Sequence, residues 1–210
     1  MDSKKDTRIG TATLNWPIDL GADDDATYTV GMIVSGYYTR SSPDDNVDVT
    51  ISKSPSTNGR VSGAGFLVAA YSAGEKSAKV GSRIHFGLNV KNKQGVLKGQ
   101  VRTLVRTANN GVFEVTGNAF TSLATIPQAG AVPGTALVNG KVSIVDRSNN
   151  SVVDANATIQ ITVTDTGEPG TTDKIAITVW KQNGTLWFSS NWNGTKTVEQ
   201  TLGGGNLSIK

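Results

Sequence analysis

Asp165, Glu168 and Asp173 place three carboxyl groups within the nine-residue stretch Asp165-Thr166-Gly167-Glu168-Pro169-Gly170-Thr171-Thr172-Asp173. Hard oxygen donors at this density suit Ca²⁺, which takes about six to eight oxygens and accepts irregular loops. The same stretch also reads as a solvated turn whose aspartates cap backbone amides, and both readings stay open. A glycosidase acid and nucleophile fit it poorly, because such carboxylates face each other across a cleft, about 5–9.5 Å apart, rather than sharing one tip. Glu168-Pro169-Gly170-Thr171 has the pattern of a type II turn, with Pro second and Gly third. Asp23-Asp24-Asp25 and Asp44-Asp45-Asn46 are further oxygen clusters; neither has the spacing of an EF-hand loop, and each reads as solvated.

Aromatic residues gather late in the chain, as Trp180, Trp187, Phe188 and Trp192. Trp180, Trp187 and Trp192 could form a platform on which sugar rings stack, as in a carbohydrate-binding module. They could equally cap the open end of a core, since Trp is usually well buried. His85 is the only histidine, and period two puts it on the strand face opposite Ile84, Phe86 and Leu88. With no Cys, thiol nucleophiles, disulfides and Cys-ligated zinc are excluded. No serine stands in a Gly-x-Ser-x-Gly elbow and no Gly-rich loop precedes a helix, so nucleophilic and nucleotide chemistry have no candidate. The chain reads as non-enzymatic.

Charge is uneven along the 210 residues although the formal net charge is only +3. Asp19, Asp23, Asp24, Asp25, Asp44, Asp45 and Asp48 face a single cation, Arg40, over residues 19 to 48. Lys76, Lys79, Arg83, Lys91, Lys93, Lys98, Arg102 and Arg106 then follow over residues 76 to 106 without an acid. Such patches are solvated faces, or they attract one another within the chain or between neighbouring chains. The small net charge gives no ground for a nucleic-acid partner. No apolar run approaches the roughly 18 residues of a membrane span, so membrane insertion is not expected.

The elements that must position these residues are strands. In Thr158-Ile159-Gln160-Ile161-Thr162-Val163-Thr164 the apolar residues alternate, and Ile175, Ile177 and Val179 do the same, with Trp180 on the other face. Thr29–Tyr38, Val47–Ile51, Ile84–Val90, Gly99–Arg106, Val112–Gly117 and Val142–Val145 also read as strands, and no window carries a helical stripe. Asn110-Gly111, Asn139-Gly140, Asn183-Gly184 and Asn193-Gly194 read as tight hairpin turns. The expected fold is all-β, an antiparallel β-sandwich of jelly-roll or immunoglobulin-like kind with about a dozen strands and no significant helix. A polar stretch at Ser52–Gly59 marks a boundary between residues 1–58 and 59–210. The first part is short for an independent core.

Four motifs occur in order: Gly59-Arg60-Val61-Ser62-Gly63-Ala64-Gly65-Phe66, Phe86-Gly87-Leu88-Asn89-Val90-Lys91, Asp165 to Asp173, and Gly203-Gly204-Gly205-Asn206-Leu207. Together, over about residues 59–210, they resemble the bacterial extracellular post-COAP-type domain, with Ala64 and Leu88 as mild departures. Residues 26–53 look like the closing strands of an immunoglobulin-like repeat. The resemblance implies a secreted or cell-surface bacterial protein. At the N-terminus two lysines precede no apolar stretch, so the sequence is expected to be a mature piece of such a protein, with the signal peptide outside it. The expected function is adhesion or structural assembly at the cell surface, through self-association or other surface proteins. Glycan binding is the alternative, and calcium the cofactor to test.

Overall fold

The computed structural model describes residues 16, 25–34, 42–43, 46–52 and 58–210. The chain divides into two compact units, Met1–Ser54 and Pro55–Lys210. In the first, β1 (Asp25–Val30) pairs antiparallel with β2 (Val47–Ser52). Thr27 Oγ1 bonds Thr50 Oγ1 at 2.9 Å and Thr29 Oγ1 donates to Asp48 at 2.7 Å. Tyr28 and Val30 lie opposite Val49 and Val47 in the alternate register positions. The strand expected over Thr29–Tyr38 therefore starts earlier and ends at Val30. Residues 35–38, the acidic Asp19, Asp23, Asp24, Asp44 and Asp45, and the lone cation Arg40 lie outside the described residues.

The second unit holds β3 (Asn58–Val68), β4 (Arg83–Lys93), β5 (Val96–Arg106), β6 (Val112–Ile126), β7 (Gly134–Asp146), β8 (Ser151–Asp165), β9 (Lys174–Trp180), β10 (Leu186–Ser189), β11 (Gln200–Thr201) and β12 (Gly204–Ile209). Strands β3 to β10 run as an antiparallel meander, and β12 returns to pair with β3, while β11 sits beside β9. The sheet curls until β12 lies against β7 and β8, and β3 against β6. The expected all-β, antiparallel, sandwich-like architecture is thus adopted, with the two layers formed as halves of one sheet. None of the described helical residues forms a segment long and apolar enough to cross a membrane.

The curl has a local cause. Against β7, β6 carries an extra residue between Thr116 and Ala119 and another between Phe120 and Ser122, and β8 is irregular opposite Val142–Val145. Each bulge bends its strand and sharpens the twist. The first bulge also shifts the phase of alternation, so that Phe120 packs on the core. It does so over Gly140, its cross-strand partner. A Cβ there would lie 2.8 Å from the Ala119 carbonyl oxygen and 3.1 Å from the Phe120 ring. Asn139-Gly140 accordingly runs through the middle of β7 and is not the hairpin its sequence suggests. Close approach, rather than a turn, requires this glycine. Asn110, Gly184 and Gly194 do take positive φ in turns, and the β4–β5 turn is made by Gln94 and Gly95, at φ 53° and 83°.

Period two fills the interior. Val61, Ile84, Val90, Val105, Val138, Ile159 and Ile177 are fully buried from alternating positions. Both ends of the sheet are occupied. The outer edge of β10 is covered by residues 73–76: Ala73 and Ser189 exchange bonds of 3.1 and 2.8 Å, and Glu75 and Lys76 donate to Leu186 and Trp187. Open edges available for strand-by-strand assembly are therefore not a property of this edge. Gly205, at φ +123°, crosses β3 so closely that a Cβ would overlap the Ala64 carbonyl oxygen. Gly205→Ala is expected to lower stability by about 2 kcal/mol or more, with Gly184→Ala, at an open turn, losing only about 1 kcal/mol. Equal denaturant midpoints for the two variants would show that β12 can retreat from β3.

Candidate functional site

The three carboxylates of the Asp165–Asp173 turn all reach β12. Lys210 and Arg60 exchange N–H···O bonds of 2.8 and 2.7 Å, so the even-numbered residues of β12 bond to β3 and the odd-numbered N–H groups point to the open side. Leu207 N donates to Asp173 Oδ2 and Ile209 N donates to Asp165 Oδ2, each at 2.9 Å. Asn206 Nδ2 donates to both Glu168 oxygens, at 3.0 and 3.2 Å. The remaining oxygens hold the turn itself. Gly167 N donates to Asp165 Oδ1 at 2.9 Å, while Thr166 N and Oγ1 donate to Asp173 Oδ1 at 2.9 and 3.0 Å. Asp173 is 0% exposed and Asp165 is 6% exposed.

Asp165, Glu168 and Asp173 thus come together along one strand. Every one of their oxygens faces an N–H or O–H donor instead of a shared point. Among the described residues no group of three or more His, Cys, Asp or Glu side chains could hold a metal ion. The turn is also shifted by one residue from the expected type II pattern. Gly170 N donates to Gly167 O at 2.8 Å, which places Pro169 third in the turn, after a cis Glu168–Pro169 bond, as in a type VI turn. Gly170, at φ +71°, then presses against Asn206. Elsewhere on the fold carboxylates cap backbone in the same way. Asp154 accepts from Gln182 N and Asn156 N, at 2.9 and 2.8 Å, and the bond from Gln182, more than any other influence, holds its carboxyl below the usual carboxylate range.

The tryptophans separate. Trp187 is 0% exposed, edge-on to Phe113 at 5.7 Å and tilted on Phe188 at 6.2 Å. Strict alternation would put Trp187 and Phe188 on opposite faces. The register of β10 on β9 slips between Leu186 and Phe188, and this bulge buries both rings. Trp187 is therefore a core residue and does not belong to an exposed sugar-stacking platform. Trp180 and Trp192 are half-buried. Trp192 N donates to Tyr71 O at 2.6 Å, and the ring of Tyr71, which the sequence did not single out, is exposed.

The basic stretch becomes a surface. Arg83, Lys91, Lys93, Lys98, Arg102 and Arg106 all occupy outward positions of β4 and β5, alternating with the buried Ile84, Val90, Val101 and Val105. His85 lies on the same outer face, half-buried and 5.9 Å from the Phe66 ring, while Arg83 sits 4.4 Å over that ring. Among the described residues the acid on this face is Glu114, which is buried and paired with both Arg102 and Arg147.

No protein family, curated protein or solved structure matches the chain.

Two outcomes follow from the carboxylate geometry. Asp173→Ala removes the acceptors of both Leu207 N–H and Thr166 N–H, and should cost roughly 2–3 kcal/mol, with faster amide exchange at Leu207 and Ile209 than at Val90. Unchanged exchange at Leu207 would mean the bond contributes nothing. Calcium would have to displace these donors, so the melting temperature should agree within about 1 °C between chelator and millimolar calcium. A rise of several degrees would put a cation on the turn.

Proposed function

We propose that the chain is a non-enzymatic module of an extracellular, cell-surface bacterial protein and serves in adhesion. The observation that carries this reading is the use of the carboxylates. Asp165, Glu168 and Asp173, the groups best suited by type and spacing to acid–base work, spend all their oxygens on holding β12 and their own turn. General acid–base catalysis needs a group free to reach substrate. The extracellular, bacterial location rests on the four motifs that resemble the post-COAP-type domain.

Between adhesion and structural assembly, the edges favour adhesion. β10 is covered by residues 73–76, and two N–H groups on the free side of β12 are taken by aspartates, so neither strand of this unit offers a bare ladder to a second copy. What remains for a partner is the outer faces and loops. Light scattering and negative-stain imaging at low and high salt test the reading. A monodisperse chain in both conditions is expected; ordered polymers would replace adhesion with structural assembly. Hydrolysis of a polymeric substrate that disappears in Asp165→Asn, with the fold retained, would overturn the non-enzymatic reading.

A further inference from the structure

The outer face of β3, β4 and β5 arranges its cations in a way that folding does not require. Antiparallel register places Arg60 opposite Lys91, and Lys91 opposite Lys98, a row of three exposed cations crossing three strands at steps of about 5 Å. Like charges directly opposite one another destabilise a sheet. Yet none of the three has an acidic partner among the described residues, and β3, β4 and β5 contain no Asp or Glu at all. Lys93 lies one rung further along β4, opposite Val96, and extends the patch. Steps of about 5 Å are shorter than the Debye length of about 8 Å at physiological salt, so an anion near the row feels the cations together.

The adjoining row has a different chemistry. Ser62, Asn89 and Gln100 face one another across the same three strands, and Arg60 Nε donates to Asn89 Oδ1 at 3.2 Å, joining the two rows. Hydroxyl and carboxamide groups both donate and accept. A line of such groups beside a line of cations matches a polymer that carries hydroxyls and anionic groups on the same repeat. Single-stranded nucleic acid would need aromatic rings among the cations for its bases, and these two rows hold none. An acidic peptide would gain most by adding to a sheet edge, and the end strands of this sheet, β10 and β12, are bonded by residues 73–76 and by Asp165 and Asp173.

We infer that the β3–β5 face binds an acidic polysaccharide, its carboxylate or sulfate groups lying along Arg60, Lys91 and Lys98 and its hydroxyls along Ser62, Asn89 and Gln100. This deepens the adhesion reading, on which it rests, and it assigns the ligand to a sheet face remote in sequence from the tryptophan loop. Many weak charged contacts on one rigid face sum through multivalency, without a deep cavity.

Immobilised polygalacturonate is the probe, with neutral dextran, poly-glutamate and a mixed-sequence DNA oligonucleotide as comparison polymers, and the intact chain is used throughout. Retention on polygalacturonate that weakens with salt is expected, with little on dextran. The double variant Lys91→Glu, Lys98→Glu should lose at least about tenfold in affinity, while Lys196→Glu, an exposed cation outside the face, should bind as the unaltered chain does. If the double reversal melts early, Lys91→Gln with Lys98→Gln serves in its place, and it should still lose several-fold. Absence of binding overturns the inference, as does equal binding by the face variant. So does poly-glutamate or DNA binding as tightly as polygalacturonate. A chain that fails here yet remains a monodisperse, non-hydrolytic protein loses only the polysaccharide, whereas salt-sensitive polymers with polygalacturonate binding intact would remove adhesion and leave the ligand.

Discussion

A strand at the end of a sheet has a partner on one side only, and every second N–H along it faces nothing. In a sheet that curls into a layered core those groups point toward apolar interior, where an unpaired donor costs about 1–3 kcal/mol. Strand β12 meets this constraint with two aspartates from the far side of the same sheet. Asp173 takes the N–H of Leu207 and Asp165 that of Ile209, while Asn206, just before Leu207, ties Glu168 to the strand. Backbone closure, as in a barrel, would have needed β12 to pair with a second strand along its length. Side chains accomplish the join at points, and the sheet stays a folded meander.

Much else depends on that join. β12 buries Leu207 and Ile209, and the chain entering it can lie close to β3 only because Gly203, Gly204 and Gly205 lack side chains. The turn that carries the aspartates has to be held in shape for their second oxygens to reach β12, which is why the other oxygen of each bonds an amide within the turn. A segment whose residue types suit a ligand thus fastens β12 to the rest of the sheet. Charge without an acidic partner among the described residues remains on the outer face of β3, β4 and β5, at Arg60, Lys91 and Lys98.

Alternation carried most of the fold. β8 and β9 are legible because Ile159, Ile161, Val163, Ile175, Ile177 and Val179 stand two apart, and a period of two admits only a strand. The same rule placed His85 correctly on the outer face. It failed where a bulge adds a residue: Trp187 and Phe188 are adjacent yet both buried, and Phe120 turns inward out of phase with Phe113 and Val115. A bulge is a property of two paired strands, so nothing in one strand announces it. Asn139-Gly140 misled for a related reason, since a glycine needed for close packing is indistinguishable from a glycine needed for a turn.

By itself the sequence determined the class of structure, all-β and antiparallel, through hydrophobic period and turn residues, and it determined that acidic and basic residues would be segregated along the chain. It also contained the capping habit of Asp165 and Asp173 within their own turn, because that is a local bond two to seven residues long. Only the tertiary structure decided that their remaining oxygens close the sheet, for those partners lie 34 and 44 residues away. Register likewise decided that Arg60, Lys91 and Lys98 form one row. Strand pairing brings together residues whose separation in the chain is set by turn length and bulges, and it is that pairing, rather than the composition of any segment, that makes a surface.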